Sequence, residues 1–144
     1  MSRFLGTELH EILDNLHSTS ELKAYLCNYD HNKQYDSFLN YFKSLDKVSS
    51  FDTSSLYKQS GIERSYCYHI MNGQKLPGRD KILRLCLAAG LTLDETQSAL
   101  EAGREALLSA LNPRDIIISY GIIHSFGVGG TNLLLSELGE DLIS

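Results

Sequence analysis

Four side chains with the chemistry to contact DNA bases lie close together in the sequence. The segment 63–72 has helical spacing, and Arg64, Ser65, Tyr68 and His69 fall in its first two turns. The major groove of DNA admits one helix, whose first turns bring three or four side chains against base edges. Arginine can donate two hydrogen bonds to O6 and N7 of guanine, and histidine and serine can bond bases at one atom. These residue types predict a surface that reads bases.

Basic residues surround this segment although the whole chain is acidic. The 144 residues include 13 Lys or Arg and 18 Asp or Glu, a net charge of −5. Between Thr53 and Cys86 six basic residues stand against two acidic ones, a net charge of +4, so the rest of the chain carries −9. Such segregation can direct one face toward phosphates. We expect Lys58, Lys75 and Arg79 to contact phosphates, which fix the position of a duplex rather than its sequence.

Helices must position these side chains, because apolar residues recur at helical spacing along most of the chain. The composition, 42% hydrophobic and 22% charged, is that of an ordinary globular domain. The predicted fold class is all-α. The predicted helices are marked by Leu9 to Leu16, Leu22 to Tyr29, Tyr35 to Leu45, Ser54 to Ser60, Glu63 to Asn72, Ile82 to Leu87, Thr96 to Leu100 (continued by Leu107, Leu108 and Leu111), Ile116 to Ile123, and Leu134 to Leu138.

Capping residues and glycines predict where several helices begin and end. The last helix is expected to follow a turn over Gly127 to Gly130 and to point Leu134, Leu135 and Leu138 inward. The remaining signals are Asp52 or Thr53 before the fourth helix, Gly61 after it, Gly90 after the sixth, Thr92 with Glu95 as a capping box for the seventh, and Asn112 with Pro113 for the eighth.

The stretch from Ser54 to Leu93 also follows the sequence pattern of a known structural motif. The matching positions are Gly61 and Ile62 at a turn, Ile70, Asn72, Gly73, Lys75 and Pro77 at the exit of the second helix, and the apolar helix from Ile82 to Leu91. In these residues the chain resembles the helix-turn-helix of the phage-repressor (XRE or Cro-like) family. Asp94 to Gln97 and Pro113 to Asp115 extend the similarity to Gram-positive bacterial relatives with extra flanking helices.

The resemblance implies a sequence-specific, DNA-binding transcriptional regulator from bacteria, with segment 63–72 as the recognition helix and double-stranded DNA as the partner. It implies a helix-turn-helix core over 32–103, an N-terminal helical extension over 1–31 and a C-terminal one over 104–144, packed together. Ile62, Cys67 and Ile70 are expected to face the core. The family has a small residue where this chain has Tyr57, so the Tyr57 ring requires either a different crossing of the two helices or an outward path.

A protein-interaction module built on the same scaffold is the alternative function. In that case the acidic outer faces would dock another protein, and binding to random duplex would show no salt dependence. A homodimer is also expected, because one recognition helix contacts only a few base pairs. The candidate dimer surface is the C-terminal pair of helices, because Leu133, Leu134 and Leu135 are consecutive and cannot all face one small core. Alternatively, Leu133 packs on the N-terminal helices.

Other chemistries find little support in the sequence. Cys67 and His69 are two residues apart and point to different faces of a helix, so we expect no metal site. The Gly127 to Thr131 stretch lacks the lysine and the preceding strand of a phosphate loop. We find no arrangement of nucleophile, base and orienting carboxylate, and we expect neither an enzyme nor a cofactor. Three cysteines and no membrane-length apolar run fit a cytoplasmic protein.

Overall fold

The computed structural model describes residues 9–27 and 32–144, and all regular secondary structure within them is helical. The predicted all-α class is therefore confirmed. The chain forms two compact units, which are divided between Lys33 and Gln34. The predicted end of the second helix at Tyr29 lies outside the described residues. The helices are α1 (9–14), α2 (Thr19–Cys27), α3 (Asn32–Ser44), α4 (Asp46–Ser49), α5 (Thr53–Ser60), α6 (Arg64–Met71), α7 (Arg79–Ala89), α8 (Leu93–Ala102), α9 (Pro113–Ile123) and α10 (Gly127–Glu137).

In the first compact unit, side chains cap the start of α2. The Ser18 hydroxyl accepts a hydrogen bond from the Glu21 amide at 3.1 Å, and the Glu21 carboxylate accepts one from the His17 amide at 2.6 Å. These bonds satisfy backbone donors that have no partner inside the helix. Ser18 and Glu21 therefore cap this helix start together.

The second compact unit contains a hydrophobic core that α5 helps to close. Helix α5 packs against α6, α7 and α10, while α8 packs against α7 and α9. Phe38 and Phe42 of α3 are buried, with stacked rings 5.2 Å apart. Ile70 and Leu85 are also fully enclosed, as expected from their spacing. Neither short helix α5 nor α6 can bury an apolar side alone, so each depends on these contacts.

Three sequence expectations about the C-terminal part are wrong. Residues 104–112 form turns and extended chain instead of continuing α8, and Arg104 adopts a φ of 59°. The stretch Gly127 to Gly130 is the first turn of α10. The break between α9 and α10 comes earlier in the chain and includes Ser125, which has a φ of 55°. Leu138 is exposed instead of pointing inward, whereas Leu135 is buried.

Residues 79–109 and 114–144 are two copies of one structural motif, which we call the first and second repeats. Each repeat has two helices and an extended tail, and each residue of the first corresponds to the residue numbered 35 higher in the second. Few residues are identical between the two repeats, so the duplication is not evident from the sequence alone. Positive φ values coincide at two pairs of positions, Gly90 with Ser125 and Arg104 with Gly139, whereas Gly127, with a φ of 71°, corresponds to Thr92, with a φ of −72°.

Reciprocal ion pairs hold the two repeats together. The Arg79 guanidinium donates two hydrogen bonds to the Asp115 carboxylate at 3.1 and 3.0 Å. The equivalent Arg114 donates to Asp80, with a shortest distance of 3.1 Å. Each arginine also donates to two carbonyl oxygens in the tail of its own repeat. Because equivalent residues exchange roles, the repeats meet as two identical subunits do in a two-fold dimer.

An amide side chain fixes each tail in the same way. Gln97 accepts a hydrogen bond from the Leu108 amide at 2.8 Å and donates one to the Leu108 carbonyl at 2.9 Å. Asn132, the equivalent of Gln97, makes both bonds with Ile143, at 2.8 and 3.3 Å. Leu108 and Ile143 are consequently anchored with their side chains buried. The repeat is thus defined by polar anchors as well as by its helices.

Candidate nucleic-acid interface

A glycine turn joins α5 to α6. The Asp52 carboxylate caps α5 by accepting a hydrogen bond from the Ser55 amide at 2.6 Å. Gly61 ends α5 with a φ of 68°, a left-handed conformation that suits glycine. The Arg84 guanidinium donates to the Ser60 carbonyl at 3.0 Å, and a Cβ at Gly61 would lie 2.8 Å from the same nitrogen. The turn therefore requires glycine for both conformation and space.

One side of α6 is buried, as predicted. Ile62, Cys67 and Ile70 lie in the core, and burial raises the pKa of the Cys67 thiol. Ser60, just before the turn glycine, is fully buried, but its hydroxyl has hydrogen-bond partners. Its hydroxyl donates to the Tyr57 carbonyl at 3.1 Å and accepts from the Ile62 amide at 3.2 Å. These contacts fix the rotation of α6, so that its polar residues face outward.

The opposite side of α6 brings all four predicted base-reading residues together. Arg64, Ser65, Tyr68 and His69 line one open depression of about 410 Å³. Asn72 and Gln74 complete its wall, although the sequence analysis did not place Gln74 in the site. The chain turns back after α6, where the amides of Gln74 and Lys75 donate to the His69 carbonyl at 2.8 and 3.2 Å. A glutamine just after a helix gives little sequence signal of this return.

Two tyrosines flank the Arg64 guanidinium. Its central carbon lies 5.9 Å from the ring centroid of Tyr57 and 5.7 Å from that of Tyr68, and the two rings are 6.5 Å apart. These distances suit cation–π attraction, which amounts to about 0.5–1 kcal/mol at an exposed site. Within the part of the chain that the structure describes, Arg64 has no carboxylate partner. The outward path of the Tyr57 ring thus helps to position a free guanidinium.

Glu63 caps the N-terminus of α6 with its own carboxylate. The two oxygens accept hydrogen bonds from the amides of Ser65 and Tyr66, both at 3.1 Å. These backbone hydrogen bonds lower the pKa of the Glu63 carboxyl below its ordinary value. The carboxylate satisfies donors that would otherwise attract an anion. Phosphates are therefore expected along the sides of α6 and not at its N-terminus.

The predicted phosphate contacts divide into two groups. Lys58 and Lys75 are exposed, and the Lys75 ammonium lies 5.3 Å from the centroid of the Tyr66 ring. Lys81, which the sequence analysis did not single out, approaches the same ring at 5.8 Å. Arg79 has a different role from the one expected, because its guanidinium is bound to Asp115 and to two backbone carbonyls. We therefore remove Arg79 from the phosphate contacts.

The described residues contain neither a cluster of metal ligands nor a helix of membrane-spanning length. No group of three or more His, Cys, Asp and Glu side chains there is arranged to hold a metal ion. None of the described helices is long and apolar enough to cross a membrane. Cys27, Cys67 and Cys86 are all free thiols.

Comparison with protein-family models, curated proteins and solved structures finds no match to the chain.

Proposed function

We propose that this protein is a bacterial transcriptional regulator that binds double-stranded DNA with α6 in the major groove. The observation that carries the proposal is the division of α6 into two sides. One side buries Cys67 and Ile70, while the other collects Arg64, Tyr68 and His69 in one depression. A short helix supported in this way can enter a groove and present several polar groups at once. The helix-turn-helix of the XRE or Cro-like family is the arrangement that we assign to α5 and α6.

The side chains around α6 suit the two kinds of contact that a duplex offers. Lys58 and Lys75 stand on the exposed surface as phosphate contacts, which supply affinity for any sequence. Arg64 supplies specificity, because a planar guanidinium can pair with O6 and N7 of guanine at the same time. Gln74 adds an amide of the type that pairs with adenine. The proposed role is binding without catalysis.

The proposal is tested by selecting bound duplexes from a random pool and sequencing them. A short enriched motif is expected, and Arg64→Ala should then cost about 1–3 kcal/mol on the selected duplex and relax the preference at one base pair. Arg64→Lys keeps the charge but loses the planar fork, so it should resemble Arg64→Ala more than the natural chain. Recovery of a random pool without enrichment would contradict sequence-specific binding.

A matched control removes an arginine elsewhere. Arg104 is exposed and lies after α8, outside the candidate site. Arg104→Ala removes one positive charge, as Arg64→Ala does. It should leave the preferred motif unchanged, because no base edge is expected near it. If both substitutions had equal effects, the role of Arg64 would be one of net charge alone.

A protein-interaction module is the second candidate, and the tyrosines beside Arg64 favour it. Tyrosine and arginine dominate the residues on which protein interfaces depend most. Tyr57 and Tyr68 would then form, with Arg64, the centre of a docking surface for another protein. This candidate predicts that the chain leaves random duplex unbound even at low salt, where attraction to phosphate is strongest.

A further inference from the structure

An apolar groove without charged residues runs between α8 of the first repeat and α9 of the second. Its volume is about 440 Å³, and its walls include Leu93 and Gln97 of α8 together with Ile116, Tyr120 and Ile123 of α9. The three α9 side chains are 51%, 50% and 61% exposed. The Phe126 ring extends this face, with its centroid 5.7 Å from that of Tyr120. Large apolar side chains rarely cluster on a surface that contacts only water.

The duplication identifies the matching face on the first repeat. Four residues of α9 line the groove, and each has an equivalent in α7, 35 positions earlier in the chain. Ile116, Ser119, Tyr120 and Ile123 correspond to Lys81, Arg84, Leu85 and Ala88. Helix α5 covers this matching face, since it packs on both α7 and α10, and Arg84 bonds to the Ser60 carbonyl at its end. Leu85 and Ala88 are buried there. The same face is therefore occupied by a helix in one repeat and open in the other.

The residues that differ between the two faces make the open face the more apolar one, although exposure to water favours the opposite. The covered face contains Lys81 and Arg84, whereas the open face has Ile116 and Ser119 at those positions. Ala88 on the covered face corresponds to Ile123 on the open one. A permanently exposed copy should gain charge and lose apolar area, because apolar area in water is unfavourable. The open face is instead the more apolar of the two, as expected of a surface that another helix covers.

We propose that a second copy of this chain covers the groove, so that the two α9 helices pack against each other across a two-fold axis. The groove has no charge with which to select a charged partner. Helix α9 itself presents apolar side chains at i, i+4 and i+7, which is the pattern that fits a hydrophobic groove. A two-fold contact buries the same patch on both copies. Leu111 stands next to the groove residue Ala110 and, at 94% exposure, adds apolar area to the patch.

This dimer surface lies on α9, the first helix of the C-terminal pair expected from the sequence, and not at the leucines of α10 that suggested that pair. Leu133 of α10 is 63% exposed but does not line the groove, so it serves as a matched control for Ile123. Each is an exposed aliphatic residue on a helix of the second repeat. The proposal does not depend on DNA binding, because it rests on the comparison of the two repeats.

The test is the mass of the full chain in solution, measured by sedimentation equilibrium over a range of concentrations. We expect the natural chain to reach twice its 16.1 kDa mass by about 100 µM, within the affinity range of weak protein interfaces. Ile123→Glu should raise the dimer dissociation constant by about tenfold or more, because it places an unpaired carboxylate in an apolar contact. Leu133→Glu should leave that constant within about twofold. Circular dichroism verifies that both variants remain folded.

Three results would overturn the proposal. The first is a natural chain that stays monomeric over the whole concentration range. The second is a dimer that Ile123→Glu does not weaken. The third is an equal loss of dimer in Ile123→Glu and Leu133→Glu, which would show that the α9 groove is not the specific contact.

Discussion

The two repeats share an arrangement of two helices and a tail and the same polar anchors, yet their outer faces differ. On the first repeat, α5 packs on this face, Lys81 donates to the Ser144 carbonyl, and Arg84 donates to the carbonyls of Ser60 and Ile143. On the second repeat, Ile116 and Ser119 occupy those positions and are open. The shared anchors are the arginine–aspartate pairs and the amides that hold the tails. A few polar contacts thus fix the motif, while the face residues are free to suit different partners.

The largest expected effect comes from removing an anchor of this shared motif. Asp115→Ala leaves Arg79 without its carboxylate, and breaking such a buried pair costs about 3–5 kcal/mol. Asp80→Ala removes the equivalent contact, but the Asp80 side chain is 26% exposed whereas that of Asp115 is 5% exposed. The Asp80 carboxylate already contacts water, so its interaction with Arg114 is weaker and the loss should be smaller. Chemical denaturation compares the two variants. An equal or larger loss for Asp80→Ala would contradict the greater burial of the Asp115 pair.

A second comparison concerns Leu85 and its equivalent, Tyr120. Leu85 is completely buried in α7, the helix that α5 covers, so Leu85→Ala should cost about 2–5 kcal/mol in the free energy of unfolding. Tyr120 is half exposed, and Tyr120→Ala should cost only about 0.5 kcal/mol in the monomer. Thermal unfolding at a concentration where the chain is monomeric measures both. Similar losses would mean that the α9 face is packed within one chain.

The contact between the two helices of each repeat offers a smaller test. A Cβ at Gly121 would lie 2.2 Å from the Thr131 hydroxyl, whereas the first repeat accommodates Cys86 beside Thr96 at the equivalent positions. Gly121→Ala should therefore cost about 1–3 kcal/mol through overpacking.

Gly129→Ala is the control for that substitution. Gly129 also lies in a helix of the second repeat, but a Cβ there meets nothing within 4 Å. The substitution should leave stability unchanged or raise it by about 0.4–1 kcal/mol, because alanine reduces the entropy of the unfolded chain. If both variants were destabilised equally, the Thr131 contact would not be the cause of the loss at Gly121.

The sequence predicted the helices well where local signals determine them. Apolar spacing, the Thr92 and Glu95 capping box and the Asn112 cap all appear in the structure, because each depends on residues close in sequence. The duplication was missed because it is carried by scattered positions, such as Arg79 with Arg114 and Gln97 with Asn132. The pairing of Arg79 with Asp115 spans the two repeats, and only the fold brings these residues together.

The residues of the candidate site were predictable for a similar reason. Arg64, Ser65, Tyr68 and His69 share one face of a single helix, so their spacing alone brings them together. Gln74 joins them through the backbone reversal after α6, which depends on Gly73 at a φ of 78° and on bonds to the His69 carbonyl. The position of Arg64 between two tyrosines also required the fold, because Tyr57 comes from α5.

The most direct test of DNA binding by α6 is the salt dependence of its affinity for a random duplex. Each phosphate contact releases counterions and adds about 0.9 to the slope of log affinity against log salt. The natural chain should bind at about 50 mM salt and weaken steeply as salt is added, and Lys75→Ala should flatten the slope by about one unit. Lys43→Ala removes an exposed lysine from α3 and should leave the slope unchanged. No detectable binding at the lowest salt would contradict the proposed function and favour docking of another protein on α6.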